Sequence, residues 1–559
     1  DHRDLHSFPT RRSSDLAGVS GQYAPQEALA ALLAGTGLQA LQLENGGYVL
    51  KVVPVVPATA RGIDATLPVV TVRAGTERET ATGPVVGYVA KRSATGTKTD
   101  TPIIETPQSI SVIGRDELED RGSVSVMQAL RYVPGVVSER AGADNRGQDD
   151  WLLLRGFSGF GTSLYQDGLR MNTDANAFAN QRSEPYGLER VEVLRGPASV
   201  LYGKGDAGGI VNRVSKRPQV DAPREIGLQL GSHNRKQLAA DVGGTFDEQG
   251  KVLYRVIGLG MAADTQDEYS NGDAVSDSRL YLAPSLTWSI SPDTSFTLLS
   301  EFIRDRNEGF AFRYSAPGAS TQRSSSVLVG EPKFTGFDHD QSAIGYLFEH
   351  RLSSDWTIRQ NARISNIDVT YRRITARSLD SDGRTLERRV RVFDENNKQV
   401  AIDTQLEGRL NTGSIEHKLL FGLDAEHLKT SNQTFSGDVG ALDIRNPSYG
   451  QAVSVSPTAD FDDSGQRLRQ LGLYAQDQLR LNPNWLVTLG GRMDRTSIKT
   501  FGYVAGTSVL QNDNKLTGGF GINYLSGSGV TPYFSYATSF LPTLGLNASG
   551  NTFKPTTGK

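Results

Sequence analysis

The chain has 559 residues, with 60 glycines, no cysteine, 37% hydrophobic residues and a formal net charge of −3; its mean hydropathy is −0.37. Without cysteine there is no disulfide framework and no cysteine metal site, and a slightly acidic balance argues against nonspecific nucleic-acid binding, which needs a basic surface. No run of roughly eighteen apolar residues occurs, which excludes a transmembrane helix but not a membrane barrel, whose strands alternate apolar with polar residues and average out hydrophilic.

Asp1–Leu16, DHRDLHSFPTRRSSDL, lacks the apolar core and small-residue cleavage site of a secretory leader. It fits nothing that follows, resembles translated adapter read-through, and is read as non-native, with the true leader missing. Residues 17–57 read as strand, helix, strand. Leu29, Leu32 and Leu33 share one helical face within Ala24–Leu33, with Pro25 in the first turn. A hairpin is expected in Leu38–Val53 over Asn45-Gly46-Gly47. Residues 58–99 are rich in Ala, Thr, Gly and Pro, and too poor in large apolar residues to build a core, so they read as a linker. One island interrupts it: Leu67, Pro68, Val69, Val70, Thr71 and Val72. β-Branched residues after a proline favour an extended backbone able to add as a strand to a sheet edge, on a partner or on the preceding module.

Residues 100–218 form a compact α+β pattern. ETPQSISVIGRDELEDRGSVSVMQALRYVPGV gives a strand, a short helix starting at Asp116–Leu118, and a helix over Ser125–Tyr132 closed by Pro134-Gly135. WLLLRGF reads as a buried strand and YQDGLRM as a hairpin over Asp167-Gly168. Glu189–Pro218 is the most informative stretch. An alternating strand led by Glu189 and Arg190 reaches the Arg195-Gly196-Pro197 corner; an apolar turn to Tyr202 follows, then Gly203, Gly205, Gly208 and Gly209, then a second strand over Ile210–Val214. Glycine at that density admits backbone conformations closed to other residues and lets strands approach closely. It is not a phosphate loop: Gly196 and Gly203 are too far apart, and Lys204 precedes Gly205. A dinucleotide fingerprint needs a helix afterwards, where this segment leads into a strand.

From 222 to 559 long alternating segments appear. Leu280, Leu282, Leu286, Trp288 and Ile290 oppose Arg279, Tyr281, Ser285, Thr287 and Ser289. Trp356, Ile358, Ala362 and Ile364 oppose Arg359, Asn361, Arg363 and Ser365; Leu471, Leu473 and Ala475 oppose Gln470, Tyr474 and Gln476. Gln360 and Asp477 interrupt the apolar faces. A soluble sandwich also alternates, but tight turns near 247–251, 291–294, 353–355, 411–414, 482–484 and 526–529 alternate with longer segments near 263–278, 304–339, 375–386, 430–466 and 500–514. Short turns on one side and long loops on the other is the outer-membrane pattern. About thirteen strands are expected, where plugged transporters have about twenty-two, so the reading is an incomplete wall in a fragment truncated at both ends.

On these residues the chain resembles TonB-dependent outer-membrane receptors, specifically the ferric-siderophore branch that includes ferrichrome and ferripyoverdine receptors. The glycine-rich unit and the runs before it are similar to that family's plug. The fold implied is mostly β: a transmembrane antiparallel barrel (222–559) around an α+β plug (100–218), preceded by part of a secretin/TonB-type signalling domain (17–57) and a linker with a TonB box (Leu67–Val72). The resemblance implies uptake of ferric siderophores, coupling to TonB and its inner-membrane energising complex, signalling to an inner-membrane anti-sigma regulator, and an outer-membrane location with the N-terminal segment in the periplasm. Haem, cobalamin or glycan is the nearest alternative cargo, and a passive porin a remoter one.

No catalytic centre assembles. Only His2 and His6 show paired helical spacing, with Arg3 where a metalloprotease carries Glu, and no Gly-x-Ser-x-Gly elbow occurs. The chain is therefore read as no enzyme and without a cofactor, since iron would arrive inside the siderophore. Aromatic, arginine and amide side chains at the plug apices suit such chelates. By position in the motif, Arg140, Arg146, Phe160, Tyr165, Phe178 and Gln181 are the expected contacts, with Phe310, Phe312 and Tyr314 as candidates on the wall. Arg155, Arg195, Glu189 and Glu192 are candidates for plug-to-wall ion pairs.

Overall fold

The computed structural model describes residues 33, 38–42, 48–52, 79–138, 152–158, 164–173, 178–309, 312–314, 327–460 and 463–559. The chain divides into two units, Asp1–Thr76 and Glu77–Lys559. In the first, β1 (Leu38–Gln42) and β2 (Tyr48–Val52) pair antiparallel with Leu38 opposite Val52, the strands of the expected hairpin. Asp1–Leu16, the expected helix before Leu33 and the box at Leu67–Val72 lie outside the described residues.

The second unit has a small inner domain. Its elements are β3 (Ser109–Gly114), α1 (Arg115–Asp120), α2 (Val126–Ala129), β4 (Leu164–Gln166), β5 (Leu169–Arg170), β6 (Leu188–Arg195), α3 (Ser199–Tyr202) and β7 (Gly209–Ser215). The five strands lie in the order β5-β4-β7-β6-β3, antiparallel except for β7 against β4. Ser125 caps α2 by accepting from the Gln128 amide, as a helix N-terminus requires. Leu118, Val126, Met127, Leu130, Val191, Val193 and Val211 form its core. Every residue of β6 except Arg195 is buried, because this strand is central and covered on both faces.

The wall is an antiparallel sheet with thirteen strands along its main path, each paired to the next: β8 (Arg224–Leu230), β9 (Lys236–Thr245), β10 (Val252–Glu268), β11 (Ala274–Ser291), β12 (Thr294–Asn307), β13 (Gly336–Arg351), β14 (Trp356–Leu379), β15 (Thr385–Thr412), β16 (Ile415–Val439), β17 (Ser464–Arg480), β18 (Trp485–Gly502), β19 (Thr507–Tyr524) and β20 (Tyr533–Ala537). β8 and β20 do not pair with each other, so the sheet is not closed. It nevertheless wraps the inner domain. Asp241 of β9 holds Lys216, Glu301 of β12 holds Gln166, Glu426 of β16 holds Lys204, and Arg492 of β18 reaches the Leu201 carbonyl. A flat sheet could not touch so small a domain from strands that far apart.

The alternation sorts as expected. Leu280, Leu282, Trp288, Ile364, Leu471 and Leu473 point outward and are exposed, while Tyr281, Arg363, Ser365, Gln470 and Tyr474 point inward and are buried. The interrupting polar groups find partners on the outer face: Gln360 accepts from the Tyr346 hydroxyl at 2.5 Å, and Asp477 meets His417 Nδ1 at 2.8 Å. Tight connections fall at one end, as at 292–293 and 413–414.

The expectation of long loops at the other end is corrected. Three of the five shrink to 269–273, 380–384 and 503–506; only 308–335 and 440–463 stay long. β14, β15 and β16 run for 24, 28 and 25 residues, where about ten cross a bilayer. Beyond the apolar band neither face has to be apolar, so the alternation disappears while the backbone ladder continues.

Candidate ligand vestibule and tether path

The inner domain has two functional ends. At the long-connection end, residues 172–173 and 178–182 lie against β13–β15. Glu395 accepts from the amides of Phe178 and Ala179 at 2.6 and 2.8 Å, Asn397 reaches the Ala179 carbonyl, and Asn172 donates to the Asn397 carbonyl at 3.1 Å. Phe178 packs edge-on against Tyr371 and Phe393, with centroids 5.0 and 5.1 Å away, and Ala179, Phe337, Ile367 and Val369 complete the cluster. Below it, Arg182 pairs with Asp305 at 2.9 Å, and Arg279 bridges Asp305 to Glu184 at 2.7 and 2.8 Å. A cavity of about 770 Å³ opens beside this network, between α1–α2 and β8–β12.

At the short-turn end the chain enters along residues 79–101. Composition reads this stretch as linker, yet hydroxyls at every second position from Ser93 to Thr101 are buried. Arg190 donates to the carbonyls of Thr80, Gly83 and Arg92; Glu192 accepts from Ser93 at 2.8 Å and from Thr95. Further along, the wall takes over. Lys98 Nζ lies 2.8 Å from Asp403 and 3.2 Å from the Tyr474 hydroxyl. Arg359 donates to the Lys98 carbonyl, Lys418 to that of Asp100, and Gln476 to that of Thr97. Polar contacts replace an apolar core here, which is why hydrophobicity gives no warning of the order.

The glycine-rich unit connects the two ends. Gly203 has φ +73°, and a Cβ there would lie 2.2 Å from Gln470 Nε2 and 2.8 Å from an Arg492 nitrogen. At Gly209, φ is +129° and a Cβ would meet the Leu194 carbonyl oxygen at 2.0 Å. Both positions need glycine for conformation and for space. Gly196 turns the corner before Pro197 with φ +102°, its amide donating to the Gly208 carbonyl at 2.9 Å. Gly205 donates to the Phe540 carbonyl at 2.7 Å, and the Tyr202 hydroxyl donates to that of Thr95 at 2.9 Å.

The expected contact residues divide. Arg140, Arg146, Phe160 and Phe310 lie outside the described residues. Phe178 is at the vestibule. Gln181 is buried, accepting from the Asn172 amide at 2.9 Å and donating to Gln166 at 3.1 Å. Tyr165 is buried deeper, donating to the Tyr202 carbonyl at 2.9 Å, and burial pushes its phenol up to about 12. Tyr314 packs with Val329, Ile374, Leu386 and Val390, with Phe312 against them.

The four candidates for ion pairs to the wall make none among the described residues. Arg195 donates to Ser109, Ser111 and the Pro134 carbonyl; Glu192 faces Arg190 and the 79–101 segment; both carboxylate oxygens of buried Glu189 have no hydrogen-bond partner among the described residues; Arg155 is exposed. A central strand shows its charges to its own neighbours. Among the described residues, the pairs that do bridge are Lys98–Asp403, Glu105–Arg480, Arg170–Glu426, Arg182–Asp305, Glu184–Arg279, Lys204–Glu426 and Lys216–Asp241. Most of their inner-domain members lie on loops and strand ends, which sequence does not orient; only the Ser93–Thr101 alternation was a usable signal. Among the described residues no group of three or more His, Asp or Glu is placed to hold a metal.

Residues 102–210 match the family model described as TonB-dependent Receptor Plug Domain, and residues 285–559 the one described as TonB dependent receptor-like, beta-barrel. The ferrioxamine B receptor of Salmonella typhimurium is 34% identical over 86% of this chain and 68% of its own length. The ferrichrome outer membrane transporter/phage receptor of Escherichia coli is 34% identical, over 86% and 67%. Among solved structures, the ferripyoverdine receptor of the outer membrane of Pseudomonas aeruginosa superposes with a TM-score of 0.73 at 19% identity, covering 97% of this chain and 68% of that one. The siderophore receptor PiuA of Acinetobacter baumannii gives 0.70 at 21%, covering 85% and 71%.

Proposed function

The chain belongs to the TonB-dependent receptor family of the bacterial outer membrane, and from that premise we propose that it takes ferric siderophores across that membrane, with coupling at one end of its plug and binding at the other. The carrying observation is the plug's polarity within the wall: Phe178 sits among wall aromatics at the end with long connections, while residues 79–101, next along the chain from Leu67–Val72, run along the opposite end. Cargo enters from outside against Phe178, with Arg140, Arg146 and Phe160 as further contacts expected from the motif. Tyr165 and Gln181, the other expected contacts, are buried and hydrogen-bonded to Tyr202 and Gln166. TonB takes Leu67–Val72 as an added strand and pulls on the tether, and the load reaches Arg190 and Glu192 of β6 through their hydrogen bonds. The chain binds, holds and releases cargo; no step calls for a catalytic group or a cofactor of its own.

Residues 17–57 are the signalling unit, reporting occupancy to an inner-membrane anti-sigma regulator. The reading is supported by the antiparallel β1–β2 pair, which lies in a separate compact unit ahead of the plug in the chain. Removing Leu67–Val72 in cells should abolish siderophore-dependent growth under iron limitation while leaving surface binding of the ferric siderophore intact. Unchanged growth would refute the box assignment.

A further inference from the structure

Arg373 of β14 lies on the inward face directly opposite Arg391 of β15. Its guanidinium carbon is 4.6 Å from the ring centroid of Phe393, 5.8 Å from those of Phe178 and Tyr371, and 6.0 Å from that of Phe312. The carboxylates around this level are engaged. Asp460 pairs with Arg391, Glu331 with Arg388, and Glu308 accepts from the Tyr269 hydroxyl. Glu395 is taken by the amides of Phe178 and Ala179. No described carboxylate forms an ion pair with Arg373, and its Nε is buried without a hydrogen-bond partner. A guanidinium keeps its charge at any working pH, so the vestibule carries a standing positive charge held among aromatic faces.

We infer that the cargo is a net-anionic ferric chelate and that Arg373, framed by Phe178, Tyr371 and Phe393, is the residue that selects for that charge. The inference rests on the siderophore-uptake reading and deepens it. An oxyanion on the chelate meets the guanidinium, and the rings pack against its apolar or aromatic parts. A cationic chelate of the same size meets like charge in a partly desolvated site and is rejected.

The test is equilibrium binding to the whole receptor in outer-membrane vesicles, with two probes of similar size: a tris-catecholate iron(III) complex carrying three negative charges and a cationic trihydroxamate iron(III) complex. The anionic probe should bind about tenfold tighter or more, the scale of one charge-assisted hydrogen bond, and the gap should narrow with added salt. Arg373→Gln should weaken the anionic probe by a similar factor and leave the cationic probe unchanged or improved, which also reports an intact fold. Arg373→Lys should recover part of the loss, because it keeps the charge without the planar stacking. Equal or tighter binding of the cationic probe by the unaltered receptor overturns the inference even if the variants misfold. So does a preference that survives Arg373→Gln, or a failure of both probes to bind. Growth on a panel of ferric siderophores separates the two levels. Uptake without charge preference sinks only this inference; no uptake of any siderophore sinks the reading beneath it.

Discussion

Glu192 is buried yet carries a carboxyl group whose neighbours are Arg190, Ser93 and Thr95. Burial raises its pKa above the ordinary 4.5, and the arginine and hydroxyls offset that only in part. The sign follows. With a raised folded value, the native state keeps the proton while the unfolded chain has already lost it. Stability therefore falls as pH climbs from about 4.5 through the raised value, and is flat above it. Glu192→Gln keeps an acceptor for both hydroxyls and removes the titration. Its midpoint of thermal unfolding in detergent should be within a few degrees of the parent at acid pH and should gain on it as pH rises to 7. If the variant instead falls steadily further behind over that range, the ionised form is net stabilising and the balance drawn here between burial and hydrogen bonding is wrong.

At the scale of elements, the stretch 79–101 behaves as a clasp with two halves. Pulling from its N-terminal side loads the plug contacts of Arg190 and Glu192 first, then the wall contacts at Thr97–Asp100, and only then β3, the edge strand of the plug sheet. The buried Lys98–Asp403 pair is the centre of the second half. Removing one partner of such a pair leaves an uncompensated buried charge, at roughly 3–5 kcal/mol. Lys98→Met should accordingly raise hydrogen exchange of the amides at 92–101 at least tenfold while leaving residues 178–182 protected. Adding Asp403→Leu should restore most of the protection; if the double variant exchanges as fast as the single one, the ion pair is not what closes the clasp. This element was hard to see in advance because its side chains are small and polar, and composition equates that with a linker. The plug sheet and the wall strands were legible where a face had to be apolar: β11, β14 and β17 alternate over the membrane band. Past that band, Tyr371–Leu379 and Thr385–Phe393 are strands crowded with arginines on both faces, and the pattern that reveals a strand is gone. Phe178 could be placed from its motif, whereas Tyr371, Arg373 and Phe393 could not, since they meet only through the register of two long strands.

Around the plug's apolar core, the wall reverses the usual placement of polar and apolar side chains. On β17, Leu471 and Leu473 are 50% and 62% exposed, while Gln470 and Tyr474 beside them are 6% and 1% exposed. Trp356 and Trp485 open the strands that leave the short-turn end, where an interface belt favours tryptophan. In water an exposed leucine is a neutral place to substitute, with effects within about 0.5 kcal/mol. In lipid the same position faces hydrocarbon, and an arginine near the midplane costs roughly 2–4 kcal/mol, falling toward zero at the interfaces. Leu473→Arg and Leu481→Arg discriminate between these environments, because Leu473 is in the middle of β17 and Leu481 is at the short turn beyond its end. Reversible denaturant unfolding of the receptor from phospholipid vesicles should show the full penalty at Leu473 and little at Leu481. A soluble β-rich protein would show little at either position. A penalty of equal size at both would mean that depth in a bilayer is not what the apolar band senses, and the lumen assigned to the plug would lose its lipid-facing wall.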